Sequence, residues 1–305
     1  MSAVHGPDFL LVGAARSGTT TMYRWLSDHP GVFMTEPKEP GYFVDRFGVS
    51  DAVEYEKLFE GAGGRLAGEA TTMYLASPES PERIRSAVGD VPILVLLRDP
   101  VARAFSLYTW MHQNGWEPIG DFDAALEAEP GRAARPESIA RYKQCLCDYL
   151  YFGSGLYSRQ IATYQALFSS VHVLLLEDLY GDPQGSFDRT CDFLGIPRHP
   201  VRRPGRSNVG RRPRSPRLQL VTRRAILACE DGTSAAGRLA KSALWQVVRV
   251  NVRMGREVQI PPGTAARLRE AYAEDIGRTA ELIGRDLSGW LPGERRAATS
   301  PADAH

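Results

Sequence analysis

The fold class this sequence predicts is α/β: a central parallel sheet with helices packed on both faces. Three observations carry the prediction. Short aliphatic runs at Phe9–Gly13, Pro92–Arg98 and Val171–Leu176 show no polar alternation, which is the pattern of strands buried on both faces. Helical periodicity occupies the intervals between them. A glycine-bearing segment, Gly13 to Thr20, joins the first strand directly to the first helix, as a strand–crossover–strand arrangement requires.

The elements follow in order. Phe9-Leu-Leu-Val-Gly13 is the first strand. Gly18 to His29 is helical, with Met22, Trp25 and Leu26 at core spacing and Pro30 as its stop. His29, at that helix end, reads as structural. Helical stretches are expected near 52–60 and 79–88. The strand Pro92–Arg98 follows, then a helix over 101–114. A helix near 155–168 leads into the strand Val171–Leu176, and another lies near 184–194. Residues 198–224 hold ten arginines and four prolines, and they read as a loop or mobile flap. An amphipathic helix over Gly263–Leu282 packs back on the sheet. The small, polar tail is expected to be disordered, so one domain spans 1–292 and the tail spans 293–305. No internal repeat is found.

Bulk properties exclude some classes. The 305 residues carry a formal charge of +1, with 24% charged and 43% hydrophobic residues. That is ordinary globular composition, with no global field to recruit nucleic acid or membrane. Thirty-three of the 37 basic residues are arginine; the side chain favours bidentate anion contacts, although GC-rich coding bias accounts for most of the excess. The start lacks a basic region followed by an apolar core, and the longest aliphatic run is Ile93–Leu97. A cytoplasmic protein without a membrane span is therefore expected. Cys145, Cys147, Cys191 and Cys229 match no metal or redox spacing, so reduced thiols are expected.

Gly13-Ala-Ala-Arg16-Ser17-Gly18-Thr19-Thr20 has glycines five apart between strand and helix. The segment is similar to a phosphate-binding loop, in which backbone N–H groups and a helix N-terminus converge on an anion. Thr19 stands where a nucleotide kinase carries its lysine. The cation is instead Arg16, inside the loop, and no acidic magnesium partner is evident. A donor with a short anionic group and no metal is expected.

A second motif follows the second strand. Arg98 lies at its C-terminal end, where open α/β sheets bind ligands. Ser106 lies about two helical turns past Pro100. Together they supply a guanidinium and a hydroxyl to one phosphate, or separately a local cap and a packing residue.

The two motifs together are similar to the family of sulfotransferases that use 3′-phosphoadenosine 5′-phosphosulfate (PAPS). Further agreement runs through His29-Pro30-Gly-Val32, Gly68-Glu69-Ala-Thr-Thr-Met-Tyr74, Glu177-Asp178-Leu179, Phe193-Leu-Gly195 and Gly284–Trp290. The resemblance covers residues 8 to 291 and points to the branch of heparan-type carbohydrate enzymes and their bacterial relatives. It implies a P-loop-like three-layer domain, and PAPS as co-substrate without a metal. It implies that Arg16, Ser17, Gly18, Thr19 and Thr20 hold the 5′-phosphosulfate and that Arg98 and Ser106 hold the 3′-phosphate. Arg211, in a late loop, joins the 3′-phosphate set.

Glu39-Pro40-Gly41-Tyr42-Phe43 matches the family's Glu-Pro-x-aromatic-Phe element, whose glutamate is the general base. Glu39 is therefore the expected base, with Lys38 assisting; by itself the segment is also a solvated turn pinned by prolines. Glu36, Glu69 and His112 are alternative or contributing acids and bases. The lysine that heparan-type enzymes carry after the equivalent of Glu69 is Ala70 here, a departure that bears on polysaccharide recognition. The expected acceptor is a hydroxyl or amine of a small molecule, natural product or glycan, with its identity and the oligomeric state open. Two other classes compete: a P-loop nucleotide kinase, and a nucleic-acid-binding protein using the arginine-rich segment. Missing interleaved aromatics and the near-neutral charge count against the latter.

Overall fold

The computed structural model describes residues 6–45, 48–137, 145–203, 211–228, 235–254 and 259–293. Its first half runs β1 (Phe9–Gly13), α1 (Thr19–Asp28), β2 (Val32–Met34), α2 (Ala52–Lys57), β3 (Leu66–Ala70), α3 (Ser80–Val88), β4 (Ile93–Leu97) and α4 (Pro100–Gln113). It continues with α5 (Phe122–Glu127), α6 (Glu129–Ala134), α7 (Tyr157–Leu167), β5 (Val171–Leu175), α8 (Leu176–Gly181) and α9 (Pro183–Leu194). The last part comprises β6 (Arg211–Pro213), α10 (Pro216–Ala228), α11 (Ala235–Val250), β7 (Val252–Met254) and α12 (Pro262–Ile283).

Five strands form one parallel sheet in the order β2-β3-β1-β4-β5. Helices cover both faces, so every position of β1 and β4 is buried. Alternate side chains part to opposite sides. Leu10, Val12, Ile93, Val95 and Leu97 join the core under α3, α4, α7 and α12. Phe9, Leu11, Leu94 and Leu96 join Met22, Trp25 and Phe187 beneath α1 and α9. Fully burying one such aliphatic or aromatic side chain contributes about 1.5–3 kcal/mol, and both layers meet at the strands that carry the site.

Two sheet strands are additions to the sequence expectation. β2 has three residues, and β3 reads Leu-Ala-Gly-Glu-Ala, a composition poor in β-formers. Gly68 is required there, because a Cβ would stand 2.2 Å from the Phe9 ring and 2.7 Å from the Met34 sulfur. The sheet therefore closes by packing rather than by propensity.

The reading of 198–224 as a loop is corrected for its second half, because 216–224 belong to α10. The start signal is a serine followed by proline: the Leu218 N–H donates to Ser215 Oγ at 3.2 Å. Gln219, Thr222, Arg223 and Ile226 are buried while Leu218 and Val221 are exposed, so apolar residues do not mark the buried face of this helix in the sequence. β6 and β7 pair antiparallel beside α10 and α11. Residues 204–210 and the tail from 294 onward lie outside the described residues. The expectation of reduced cysteines is also corrected at one pair. Cys145 and Cys147 form a disulfide, their Cα atoms 5.3 Å apart across a tight turn, while Cys191 is free and buried.

His29 serves structure, as read from its helix-end position. It accepts the Gly31 N–H through Nδ1 at 3.0 Å, and its Nε2 lies 2.8 Å from the Pro197 carbonyl. The C-terminal helix α12 ties several elements together. Asp275 accepts the N–H groups of Tyr157 at 2.7 Å and Ser158 at 3.2 Å, capping α7. Arg269 reaches Asp99 at 3.3 Å, and Asp99 caps α4 through the N–H groups of Val101 and Ala102.

Candidate active site

The loop between β1 and α1 is held at the C-terminal edge of the sheet. The Ala14 N–H donates to the Leu96 carbonyl at 2.7 Å. At its other end Gly18 starts α1 with φ +92 and no side-chain cap. A Cβ on Gly18 would lie 2.7 Å from Leu176 Cδ1, so glycine is needed for both the turn and the fit. The first N–H groups of α1 have no helical partner, and the helix dipole makes this end positive. Thr19 is buried and Thr20 exposed at this terminus.

Arg16 adopts φ +68, a left-handed conformation that costs a non-glycine residue about 1–2 kcal/mol. Its Nε donates to Ser106 Oγ at 3.2 Å. Arg98 donates through a guanidinium nitrogen to the Arg16 carbonyl at 3.3 Å, and its own carbonyl accepts the Tyr157 hydroxyl at 2.9 Å. The structure thus brings Arg16, Arg98 and Ser106 together around the loop. Burial, and then the charge of Arg98, push Arg16 down to about 10, opposed by Glu39. Ser17 is 0% exposed, and its Oγ has no hydrogen-bond partner among the described residues. A buried hydroxyl without a partner, a bare helix N-terminus and two neighbouring guanidiniums fit a phosphate or sulfate group.

Glu39 faces this cluster from the strap between β2 and α2. Like Arg16, it is a non-glycine residue with positive φ, at +66. Its N–H donates to the Ala70 carbonyl at 2.9 Å, which hangs the strap on the end of β3. Its carboxylate receives Lys38 Nζ in a close ion pair and the Thr72 hydroxyl at 3.3 Å. The Glu39 side chain is 34% exposed, so it is open to an incoming molecule. Left-handed backbone at both Arg16 and Glu39 is strain that tertiary packing holds in place.

Behind the strap, Glu69 is fully buried and receives three hydroxyls: Tyr55 at 2.5 Å, Thr71 at 2.5 Å and Tyr74 at 3.2 Å. Burial pushes its carboxyl up to about 7; the hydrogen bonds oppose this and the charge of Glu39 adds to it. Asp148 is the second buried acid near Glu39. Burial, then Glu39, raise it to about 7 against the pull of Arg103. It lines a small cavity beneath the phosphate-loop residues Ala14 and Ala15, together with Thr72, Arg103 and Gln160. Arg103 Nε and Gln160 Oε1 are buried there without hydrogen-bond partners among the described residues.

The other sequence candidates sit apart. Glu36 is exposed. His112 has Nδ1 3.0 Å from the Glu117 carbonyl and stacks on Tyr108; no hydrogen bond joins it to Arg16, Ser106 or Glu39 among the described residues. Arg211 lies on β6 with its backbone paired to Met254, and its side chain is outside the described part of the structure. Thr72 and Asp148 were missed in the sequence. Thr72 is one of a threonine pair whose partner points elsewhere, and no local pattern marks Asp148. The Glu177-Asp178 and Gly284–Trp290 segments meet in space: Arg285 makes two bonds to Asp178, and Trp290 Nε1 donates to Glu177 at 3.2 Å.

Comparisons with known proteins point to one family. A family model described as the sulfotransferase domain matches residues 6–205. A crystal structure of a sulfotransferase from Alicyclobacillus acidocaldarius superposes with a TM-score of 0.69 at 26% identity, covering 94% of this chain and 99% of that one. Mouse bifunctional heparan sulfate N-deacetylase/N-sulfotransferase 4 is 28% identical over 207 residues, which is 64% of this chain and 23% of the mouse protein. Human heparan sulfate glucosamine 3-O-sulfotransferase 6 is 28% identical over 197 residues, covering 63% of this chain and 53% of the human protein. The chain thus spans between a quarter and about half the length of these two curated relatives.

Proposed function

The chain belongs to the sulfotransferase family, and from that premise we propose that it transfers a sulfuryl group from PAPS to a hydroxyl or amine acceptor, with Glu39 as general base. The observation that carries the reading is the convergence of Arg16, Arg98, Ser106 and the unpartnered Ser17 hydroxyl on the bare N-terminus of α1. When bound, PAPS supplies the sulfuryl group and a bisphosphate leaving group. Arg16, Ser17 and the N–H groups at Gly18–Thr20 would hold its 5′ end, and Arg98 and Ser106 its 3′-phosphate.

The residues divide the work as the chemistry requires. Positive groups placed in advance where charge accumulates lower the barrier without reorganising. Glu39 takes the proton of the acceptor as its oxygen or nitrogen attacks sulfur. Lys38 and Thr72 orient the Glu39 carboxylate. A small molecule or glycan fits this proposal as acceptor, and heparan itself is the substrate named for the relatives rather than for this chain.

The test compares adenosine 3′,5′-bisphosphate with ATP plus magnesium in a thermal-unfolding titration. Stabilisation by the bisphosphate without metal supports the donor site. Preference for ATP with magnesium would instead favour a nucleotide kinase, and no response to either would refute both.

A further inference from the structure

Glu69 is a carboxylate buried among hydroxyls, with no cation bonded to it among the described residues. Burying such a group is costly unless every lone pair is used. Its three partners come from two places: Tyr55 from α2, and Thr71 and Tyr74 from the turn after β3. Two of them have a second duty. Thr71 Oγ1 accepts the Gly41 N–H at 3.2 Å, and the Tyr74 hydroxyl accepts the Phe43 N–H at 3.4 Å. Tyr55 stacks on Tyr42, ring centres 4.3 Å apart, and meets the Phe43 ring edge-on. All these contacts land on the strap just after Glu39.

The direction of the hydrogen bonds is decisive. An ionised carboxylate only accepts. Each hydroxyl must therefore turn its hydrogen towards Glu69, which leaves the oxygens of Thr71 and Tyr74 as acceptors facing the strap. A protonated or amide side chain at 69 would bring a donor of its own, and one hydroxyl would have to turn round.

We propose that Glu69 is a positioning residue: its carboxylate orients the Thr71 and Tyr74 hydroxyls so that they clamp Gly41 and Phe43, and thereby fixes the backbone that presents Glu39. The clamp deepens the reading of Glu39 as the base, yet it is measurable without it.

The experiment is amide hydrogen exchange on the full chain from about pH 5.5 to 8.5, corrected for intrinsic rates. Protection at Gly41 and Phe43 should rise by about tenfold as pH increases through about 7, where Glu69 ionises. Amides of β1 and β4 should show no such step. The other titratable groups facing Glu69 are Glu39 on the strap, Tyr55, Tyr74 and Tyr164 from α7. The three tyrosines are all raised well above 10 and stay neutral throughout. In Glu69→Gln the step should vanish, and the amide whose hydroxyl turns, Gly41 or Phe43, should stay at the low-pH level. Wild-type protection in that variant, or an equal loss across β1 and β4, would overturn the clamp. Should Glu69→Gln fail to fold, Tyr55→Phe removes one donor and should move the step to higher pH; an unmoved step overturns the proposal. Glu39→Gln should keep the step, at lower pH because a neighbouring negative charge is gone. If that variant still transfers sulfate to 4-nitrophenol at the wild-type rate, the base assignment fails while the clamp stands.

Discussion

Replacing Ser17 by alanine should have opposite effects on the free and the nucleotide-bound protein. The Ser17 hydroxyl is fully buried and has no hydrogen-bond partner among the described residues. An unsatisfied buried hydroxyl costs about 1–3 kcal/mol, so Ser17→Ala should leave the free protein as stable as before, or more stable by up to about 1 kcal/mol. For a chain of this size that is a rise of up to about 1.5 °C in the unfolding midpoint. If the same hydroxyl donates to an anionic phosphate, its loss removes a charged hydrogen bond, about 1.5–3 kcal/mol. Affinity for adenosine 3′,5′-bisphosphate should then fall by about 10- to 150-fold. Calorimetric titration gives the affinity, and thermal unfolding without ligand gives the stability. Unchanged affinity would remove Ser17 from the anion site. A free protein destabilised by more than about 1 kcal/mol would mean that the hydroxyl has a partner and that the orphan argument is wrong.

Two further outcomes follow from the same geometry. Arg98→Ala should weaken bisphosphate binding by about 1.5–3 kcal/mol, and wild-type affinity in that variant would take Arg98 out of the site. Asp148→Asn should flatten the pH dependence of stability. The Asp148 carboxyl is raised to about 7 in the folded chain against about 4 unfolded. Its contribution is full below pH 4 and is lost as pH rises to 7. At about 1.4 kcal/mol per tenfold in proton affinity, the loss approaches roughly 4 kcal/mol. Urea unfolding between pH 4 and 8 should therefore show the variant gaining on the wild type by up to that amount, and parallel curves would refute the assignment.

The parts of the site that rest on chain-local patterns were legible in the sequence. Gly18 had to be glycine, Arg16 was the loop's cation where Thr19 replaces a kinase lysine, and Arg98 ended an aliphatic run. β1 and β4 could be read because both faces demand apolar residues. β3 could not, since its glycine, glutamate and alanines are there for Phe9, the tyrosine hydroxyls and close packing. Asp148 and Thr72 were invisible for a related reason: what makes them notable is the proximity of Glu39, more than thirty residues away in each case. α10 was hidden because its buried face mixes Gln219, Thr222, Arg223 and Ile226 while Leu218 and Val221 face outward, so no apolar stripe at helical spacing marks it. The cysteine pair was missed because a two-residue separation lies outside the common spacings.

The reach of α12 has a consequence for how the site comes into being. Asp99 begins the helix that carries Ser106, and Asp275 begins the helix that carries Tyr157, the residue whose hydroxyl holds the Arg98 carbonyl. Arg269 and Asp275 both belong to α12. During synthesis on the ribosome, residues 6–205 emerge with the phosphate loop already encoded but with α7 uncapped and Asp99 without its arginine. The helices that carry Ser106 and Tyr157 then lack their contacts to α12, so the donor site is expected to tighten once α12 has been made and docked. Binding of the bisphosphate by a nascent chain would therefore report completion of α12 rather than emergence of the loop.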